Sequence, residues 1–591
     1  MINLSFEDFI LAEKPKAATA IAKALGNAKL KQAPNKNKYW TVDNKVCIAS
    51  AVGHLYNLHP KIAERGIFPK WEALWCPSWK INPKLNYLKN YFECIKYLVS
   101  NNTFDRYIIA TDNDIEGTVI GFVTLFGVLK VPFEKGYRMR MNSLAVDEVK
   151  RAYRELLPPD TEWFSAGFAR HETDFLWGIN LTEAFSKAFN LTHKRWKTLS
   201  LGRVQSPSLK FLVDREREIQ SFVPQTYWNV KATIVVEEKQ YEAWCSLGDI
   251  KTKPEADLVV SKCKGLNALV TAVDKNVKEY LPPLCFSIST LEQEAWYKLK
   301  FRPDVTDSVA QSLYTQALVS YPRTGSTSVM FVPTNSILES LKTGEYSEFA
   351  NEITNNHWTP RKGGYYDGAH TAIYPTSERN KPRNDYEQKL LDLIRRRFLG
   401  TFYPPVKREL TEIKLTIGEV EFTLKGEKTI ETGWLKPYTY SKFEEVESPE
   451  LTVGNNVQVL SVEAIEKVTK PPFRYSYASL VKEMEKHNIG TKATRATICK
   501  TLWLRGYILS EKGVGVKPLP LGVKLIEVAE KFVPKIIDVK LTAELEQDLE
   551  DIEKKIKTKN QVIQKSKENL ERILSDITNN LEKIGEELST V

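Results

Sequence analysis

Ser320-Tyr321-Pro322-Arg323-Thr324-Gly325-Ser326 is the stretch on which the reading of this chain turns. It follows a run in which Val309, Leu313, Ala317 and Leu318 recur at helical spacing, so an amphipathic helix leads into it. Pro322 pushes the residue before it out of the α region. The helix should therefore stop short of it and present Tyr321 at an element boundary, not buried mid-helix. Arg323 lies two positions on. A phenol beside a guanidinium suits phosphate chemistry, since one supplies a nucleophilic oxygen and the other clamps a phosphate bidentately. A Tyr-Pro pair alone is an ordinary loop signal, so the rest of the chain decides its meaning.

Two further stretches bring acid and cation chemistry. Phe9-Ile10-Leu11-Ala12 reads as a short apolar strand, Glu13-Lys14-Pro15 as a turn, and the alanine-rich run to Leu25 as a helix closed by Gly26. Pro15 fits a first helical turn, where a missing N–H costs nothing. Glu13 and Lys14 then stand at the C-terminal end of a strand, where open α/β sheets place their ligands. In Tyr107 to Gly121 another apolar strand runs into Asp112-Asn113-Asp114-Ile115-Glu116-Gly117 and then a helix. An extended or turn segment with this alternation puts Asp112, Asp114 and Glu116 on one side. Clustered carboxylates repel one another unless a cation compensates, and a divalent cation with oxygen ligands is the natural one.

Length and composition bound the rest. A chain of 591 residues should split into several domains. Hydrophobic residues at 42% and charged residues at 27% describe an ordinary globular protein. No apolar run reaches the roughly 18 residues of a membrane span, and no signal peptide is expected from Met1-Ile2-Asn3-Leu4. The seven cysteines are dispersed, which argues against a structural zinc site and for free thiols. A net charge of +10, from 84 basic against 74 acidic residues, is compatible with an anionic partner such as DNA. The Walker A pattern is absent, so no ATPase is expected on this chain.

The remaining organisation reads in blocks. Residues 151–220 look helical. Trp228 to Val236 and Ile413 to Leu424 look like strands, the latter a hairpin around Gly418-Glu419. Between them lies a helical insertion, about 286–404, that carries Tyr321. Tyr477 to Ile498 resembles a helix-turn-helix, and Leu541 to Leu588 reads as one long polar helix. Leu570, Leu574, Ile577, Leu581, Ile584 and Leu588 form a short heptad seam expected to pack on its own domain.

Six motifs, taken in order, resemble the type IA DNA topoisomerases, most closely the archaeal kind of topoisomerase III. They are Glu13-Lys14-Pro15, Asp112-x-Asp114-x-Glu116-Gly117, Ser200-Leu-Gly-Arg203-Val-Gln205-Ser-Pro207, Tyr321-Pro-Arg323-Thr, Ala369-His370-Thr-Ala-Ile-Tyr-Pro375-Thr and Ile489-Gly-Thr-Lys-Ala-Thr-Arg495. The resemblance covers the chain to about residue 560. It implies a multidomain α/β plus α+β fold in which an N-terminal Toprim domain and three further domains form a toroidal ring. Its domains would be 1–152 (Toprim), 153–220 with 473–560 (helical DNA groove), 221–285 with 405–472 (β-rich arch) and 286–404 (catalytic tyrosine), followed by a C-terminal helix, 561–591.

The resemblance also implies roles. Tyr321 would attack a phosphodiester to give a 5′-phosphotyrosine, with Arg323, Lys14, Glu13 and His370 assisting. Mg²⁺, or Mn²⁺ in its place, would be held by Asp112, Asp114, Glu116 and Glu13. Arg170, Asp174, Arg203, Gln205, Lys492 and Arg495 would line the DNA path. Neither ATP nor zinc is expected. The partners implied are single-stranded and negatively supercoiled DNA and a helicase, with no membrane, for a monomer working in the cytoplasm at the nucleoid. The expected activity is relaxation, with decatenation, and the alternative is the topoisomerase subunit of a split reverse gyrase. A Toprim nuclease or primase would lack the Tyr-x-Arg segment. Two departures stand out: Ile115 and Thr118 replace the family's usual Arg and final Glu, and the family's C-terminal zinc-ribbon region is not expected here.

Overall fold

The structure, a computed structural model, describes residues 4–511 and 514–588. Near the N-terminus the strands β1 (Leu4–Ala12), β2 (Ala28–Gln32), β3 (Lys38–Val42), β4 (Val46–Ser50), β5 (Asn102–Ala110) and β6 (Gly136–Arg138) form one sheet in the order β2-β3-β4-β1-β5-β6. Its centre is parallel: β1 pairs with β4 and β5, and β5 with β6. The C-terminal halves of these two central strands, residues 9–12 and 107–110, are buried apolar runs, as parallel strands covered on both faces must be. Helix α1 (Pro15–Leu25) starts on its proline directly after β1, and α2 (Ile115–Phe122) starts four residues after β5 ends. Both turns lie at the carboxyl ends of neighbouring strands, so Glu13 and Lys14 meet Asp112 there.

A second body is a closed barrel. Its strands β7 (Thr226–Val236), β8 (Lys239–Cys245), β9 (Ala268–Tyr280), β10 (Val406–Ile417), β11 (Val420–Glu431) and β12 (Asn456–Val468) run in the order β8-β11-β10-β9-β12-β7. The hairpin at Gly418-Glu419 forms, with Ile417 opposite Val420. β9 and β10 pair from Ala268↔Ile417 to Tyr280↔Val406. The whole segment 281–405 is therefore an insertion leaving one end of that strand pair. Trp434 secures the same end, its indole N–H donating to the Tyr280 carbonyl at 2.9 Å.

The helical body contains α3 (Thr161–His193), α4 (Gln205–Ser221), α6 (Tyr477–Lys486) and α7 (Arg495–Leu504), with α5 (Pro303–Thr315) in the insertion. The expected single C-terminal helix is instead three: α8 (Val539–Glu553), α9 (Lys559–Asn579) and α10 (Leu581–Leu588). Lys555 adopts φ +60, and Thr558 opens α9 with a capping box to Gln561, so the chain turns between α8 and α9. The seam residues Leu570, Leu574, Ile577, Ile584 and Leu588 are buried in the cluster that holds Leu181, Phe185 and Phe189 of α3. The packing is within the chain.

A single apolar cluster runs from the Toprim-side residues Ile10, Ala17, Ile21, Met139, Met141 and Leu144 into Leu313, Tyr314, Tyr321, Ala372 and Ile373 of the insertion. The two bodies share one core at the seam where Tyr321 lies. All seven cysteines are free, and among the described residues no helix is long and apolar enough to cross a membrane.

Candidate active site

Helix α5 ends at Thr315, earlier than the apolar spacing suggested, and Ala317 takes φ +58 to start an extended segment. Ser320 N–H donates to the Tyr374 carbonyl, and Tyr321 N–H donates across the seam to the Asn142 carbonyl at 2.7 Å. Tyr321 is thus outside the helix, as Pro322 requires, but it is not presented at a surface: only 2% of it is exposed. Its hydroxyl donates to Asp114 Oδ2. Tyr314 meets its ring edge-on at 5.3 Å, and His370 stacks on it at 5.6 Å. Burial, with Asp114 and Asp112 beside it, pushes the phenol well above its ordinary pKa, and Arg323 pulls the other way.

Asp114 caps α2, taking the Gly117 N–H at 2.6 Å on its other oxygen. Residue 117 has to be glycine, because a Cβ there would lie 2.2 Å from the Asp112 carbonyl oxygen. The helix onset also corrects the expectation that three carboxylates share one side. Ile115 is already helical, so Glu116 is rotated away from Asp112 and Asp114 and accepts from His54 and His171 instead.

Asp112 is 4% exposed and holds Lys14 Nζ at 3.0 Å and Gln311 Nε2 at 3.0 Å on one oxygen. Lys14 also meets Glu13 at 2.9 Å, and Glu13 accepts the Asp112 N–H at 3.2 Å. Burial, then Glu13, raises Asp112 to about 6 against the pull of Lys14 and Arg323. Burial would lower Lys14, but Asp112 and Glu13 outweigh it and hold the ammonium above its ordinary value. Arg323 pairs with Asp307 at 3.3 Å. His370 Nε2 meets the Asn113 carbonyl, and Nδ1 lies 3.0 Å from Asp367, which also takes Lys492 at 2.6 Å. His370 and Lys492 hold Asp367 far below the usual carboxylate range in spite of its burial.

The other residues expected to line a DNA path lie apart from this seam. Arg203 is 3% exposed and joins Asp174 at 2.7 Å and Glu546 at 2.7 Å, and Arg170 takes the second Glu546 oxygen at 2.8 Å. These guanidiniums are spent on carboxylates and do not face an open groove as placed. Gln205 starts α4 and donates to the Ser200 carbonyl, and Arg495 donates to the Ile489 carbonyl at 3.2 Å.

Residues missed in the sequence include Gln311, Asp307, Asp367 and Arg138. Arg138 is fully buried and donates to the carbonyls of Thr111 and Asp112 at 2.9 and 2.7 Å, fixing the acidic turn from behind. Only Asp367, three residues before His370, lay near enough to a quoted motif to be noticed.

A buried phenol, two cations and buried acids at the carboxyl ends of parallel strands have counterparts among known proteins. The chain matches the DNA topoisomerase family over residues 158–564 and the Toprim domain over residues 8–144. This chain belongs to the type IA DNA topoisomerases. It is 38% identical over 596 residues to DNA topoisomerase 1 of Pyrococcus horikoshii, covering 98% of this chain and 86% of that one. DNA topoisomerase 3 of Bacillus cereus is 26% identical over 614 residues, covering 96% and 81%. The full-length topoisomerase I structure from Thermotoga maritima superposes with TM-score 0.76 at 26% identity, over 96% of this chain and 90% of that one. The type IA topoisomerase is a DNA-acting isomerase, and its multidomain fold, a Toprim domain in a toroidal assembly, is the one its motifs implied.

Toprim domains generally bind Mg²⁺. The residues fit such an ion: Asp112, Asp114 and Glu13 offer hard carboxylate oxygens, and the buried Asn113 Oδ1 and Gln311 Oε1 have no hydrogen-bond partner.

Proposed function

We propose that this type IA topoisomerase cleaves one DNA strand by transesterification, without ATP, and passes DNA through the break before resealing it. The observation that carries this is the Tyr321 hydroxyl donating to Asp114, beside Lys14 bridging Glu13 and Asp112. In the step proposed, the Tyr321 oxygen bonds to phosphorus while its proton passes to the Asp114 carboxylate. The bond from phosphorus to the 3′-oxygen breaks, leaving a 5′-phosphotyrosine. Lys14, held protonated by its two carboxylates, gives its proton to the leaving 3′-oxygen, and Glu13 orients it. Arg323 faces the charge that grows on the phosphoryl oxygens, and His370 positions the phenol ring it stacks on. Mg²⁺, or Mn²⁺, held by Asp112, Asp114 and Glu13, would supply charge neutralisation at the phosphate. Resealing runs the same steps backwards.

Burial explains why the phenol is quiet without DNA. It is held neutral, and phosphate has no path to it until the insertion lifts from the Toprim domain. Lys492 is assigned to the strand's phosphates on that path, and relaxation of negative supercoils, with decatenation, is the expected outcome. The test is a gel assay of negatively supercoiled plasmid with and without Mg²⁺, combined with denaturant trapping of protein–DNA adducts. Wild type should relax the plasmid and trap an adduct, and Tyr321→Phe should do neither. Cleavage by Tyr321→Phe would instead favour a Toprim nuclease.

A further inference from the structure

Glu116 belongs to the acidic motif in sequence but stands apart from it in space. Its Oε2 lies 3.0 Å from His54 Nε2 and 2.9 Å from His171 Nε2, and the three donor atoms fall within 4.8 Å of one another. Three separate elements bring them together. His54 follows β4 in a loop whose Val52 and Gly53 N–H groups both donate to the Glu13 carbonyl, with Val52 at φ +60. The His54 carbonyl accepts the Ser78 hydroxyl at 2.7 Å, so the loop is held on both sides. Glu116 is in the first turn of α2. His171 stands on α3 one turn beyond Gly167, on the same helix face. A Cβ on Gly167 would lie 2.5 Å from Val119 and 2.7 Å from Ile115, so the absence of a side chain there lets α3 approach α2 closely enough for His171 to reach Glu116.

We infer that His54, Glu116 and His171 bind one divalent transition-metal ion, joining the Toprim domain to helix α3. Two imidazoles and one carboxylate make a donor set for Zn²⁺, Mn²⁺, Fe²⁺ or Co²⁺, whereas Mg²⁺ prefers oxygen alone. The three side chains are 20–32% exposed, which leaves the ion room for water ligands. The ring of Trp75, 5.8 Å from that of His171, covers one side. The site is distinct in donor chemistry from the carboxylates around Lys14, and its ion would clip the floor of the active site to the helix that also carries Arg170 and Asp174.

Tag-free, chelator-stripped protein titrated with Co²⁺ or Zn²⁺ tests this, read by calorimetry and by the visible Co²⁺ spectrum. The expected result is one ion per chain, unaffected by excess Mg²⁺. The double variant His54→Gln/His171→Gln should bind about tenfold or more weakly, while Asp112→Asn/Asp114→Asn keeps wild-type binding. Circular dichroism confirms folding, and His54→Gln alone serves if the double variant does not fold. The inference is overturned if wild type binds no transition metal, if the histidine variants bind as wild type does, or if binding is lost with Asp112 and Asp114 instead.

Discussion

Buried charge is arranged in opposite ways at two places in this topoisomerase. Beside α3, its Arg170 and the loop residue Arg203 divide the two oxygens of Glu546 between them, and Asp174 completes the knot. Burial would raise Glu546, yet Arg170 and Arg203 bring it down to about 2. Beneath Tyr321, one ammonium is shared by two carboxylates, and Asp112 is driven up to about 6. The first cluster satisfies itself. In the second, burial and the neighbouring Glu13 outweigh the cations that face Asp112.

The sharpest way to break the comparison is to remove the hydroxyl proposed as the nucleophile. Tyr321→Phe should lower strand cleavage by about 10⁴-fold or more, measured as trapped adduct, while leaving the thermal midpoint close to wild type. Next in size is the knot itself. Glu546→Gln leaves Arg170 buried without its carboxylate and Arg203 with Asp174 alone, and should cost about 3–5 kcal/mol at pH 7 in denaturant unfolding. Asp112→Asn should cost under about 1 kcal/mol or stabilise the fold, because a raised carboxylate pKa means that its ionised form is disfavoured there. Equal losses from the two variants would end the distinction.

The pH dependence follows with opposite signs. Glu546, depressed from 4.5 to about 2, contributes stability above about pH 4.5 that is lost as pH falls towards 2. Asp112, raised from 3.8 to about 6, penalises the fold above about pH 6, and that penalty disappears below about pH 4. Cleavage that needs the Asp112 carboxylate should fall as acid protonates it, and Mg²⁺ held there would move that fall to lower pH. A single-turnover profile that stays flat in acid would show that its ionisation is not required. The smallest effect expected is at Lys492, a third exposed and paired with Asp367. Lys492→Ala should weaken single-strand binding several-fold and reduce the slope of log affinity against log salt by about 1. An unchanged slope would leave it as a partner of Asp367 alone.

What could be read in the sequence was what depends on neighbours along the chain. Pro15 marks a helix start, Gly418-Glu419 a hairpin, and Glu13 and Asp112 each the end of a strand, because each signal lies within a few residues of the structure it sets. The burial of Tyr321 was not legible, since it comes from Asn142 and Asp114, far away in sequence. The same holds for Arg203, whose partner Glu546 is 343 positions on and turns a DNA-facing guanidinium into an internal one. Glu116 was misplaced for a local reason: the alternating motif was read as extended, while Asp114 had already capped a helix. The long C-terminal helix failed similarly, because the polar run from Lys554 to Thr558 continues the helical composition while its backbone turns.

The pairing of β9 with β10 has a mechanical consequence. The chain departs for the inserted segment at Tyr280 and returns at Val406, directly opposite. A pull on that segment therefore loads the two strands from the same end, in the manner of a zipper, so their hydrogen bonds meet the force one after another rather than together. Such a joint resists tension poorly. Trp434, donating to the Tyr280 carbonyl, stands at the first tooth. The inserted segment should thus swing about this joint rather than be drawn straight out from it, since torque leaves the zipper shut where traction would start to open it.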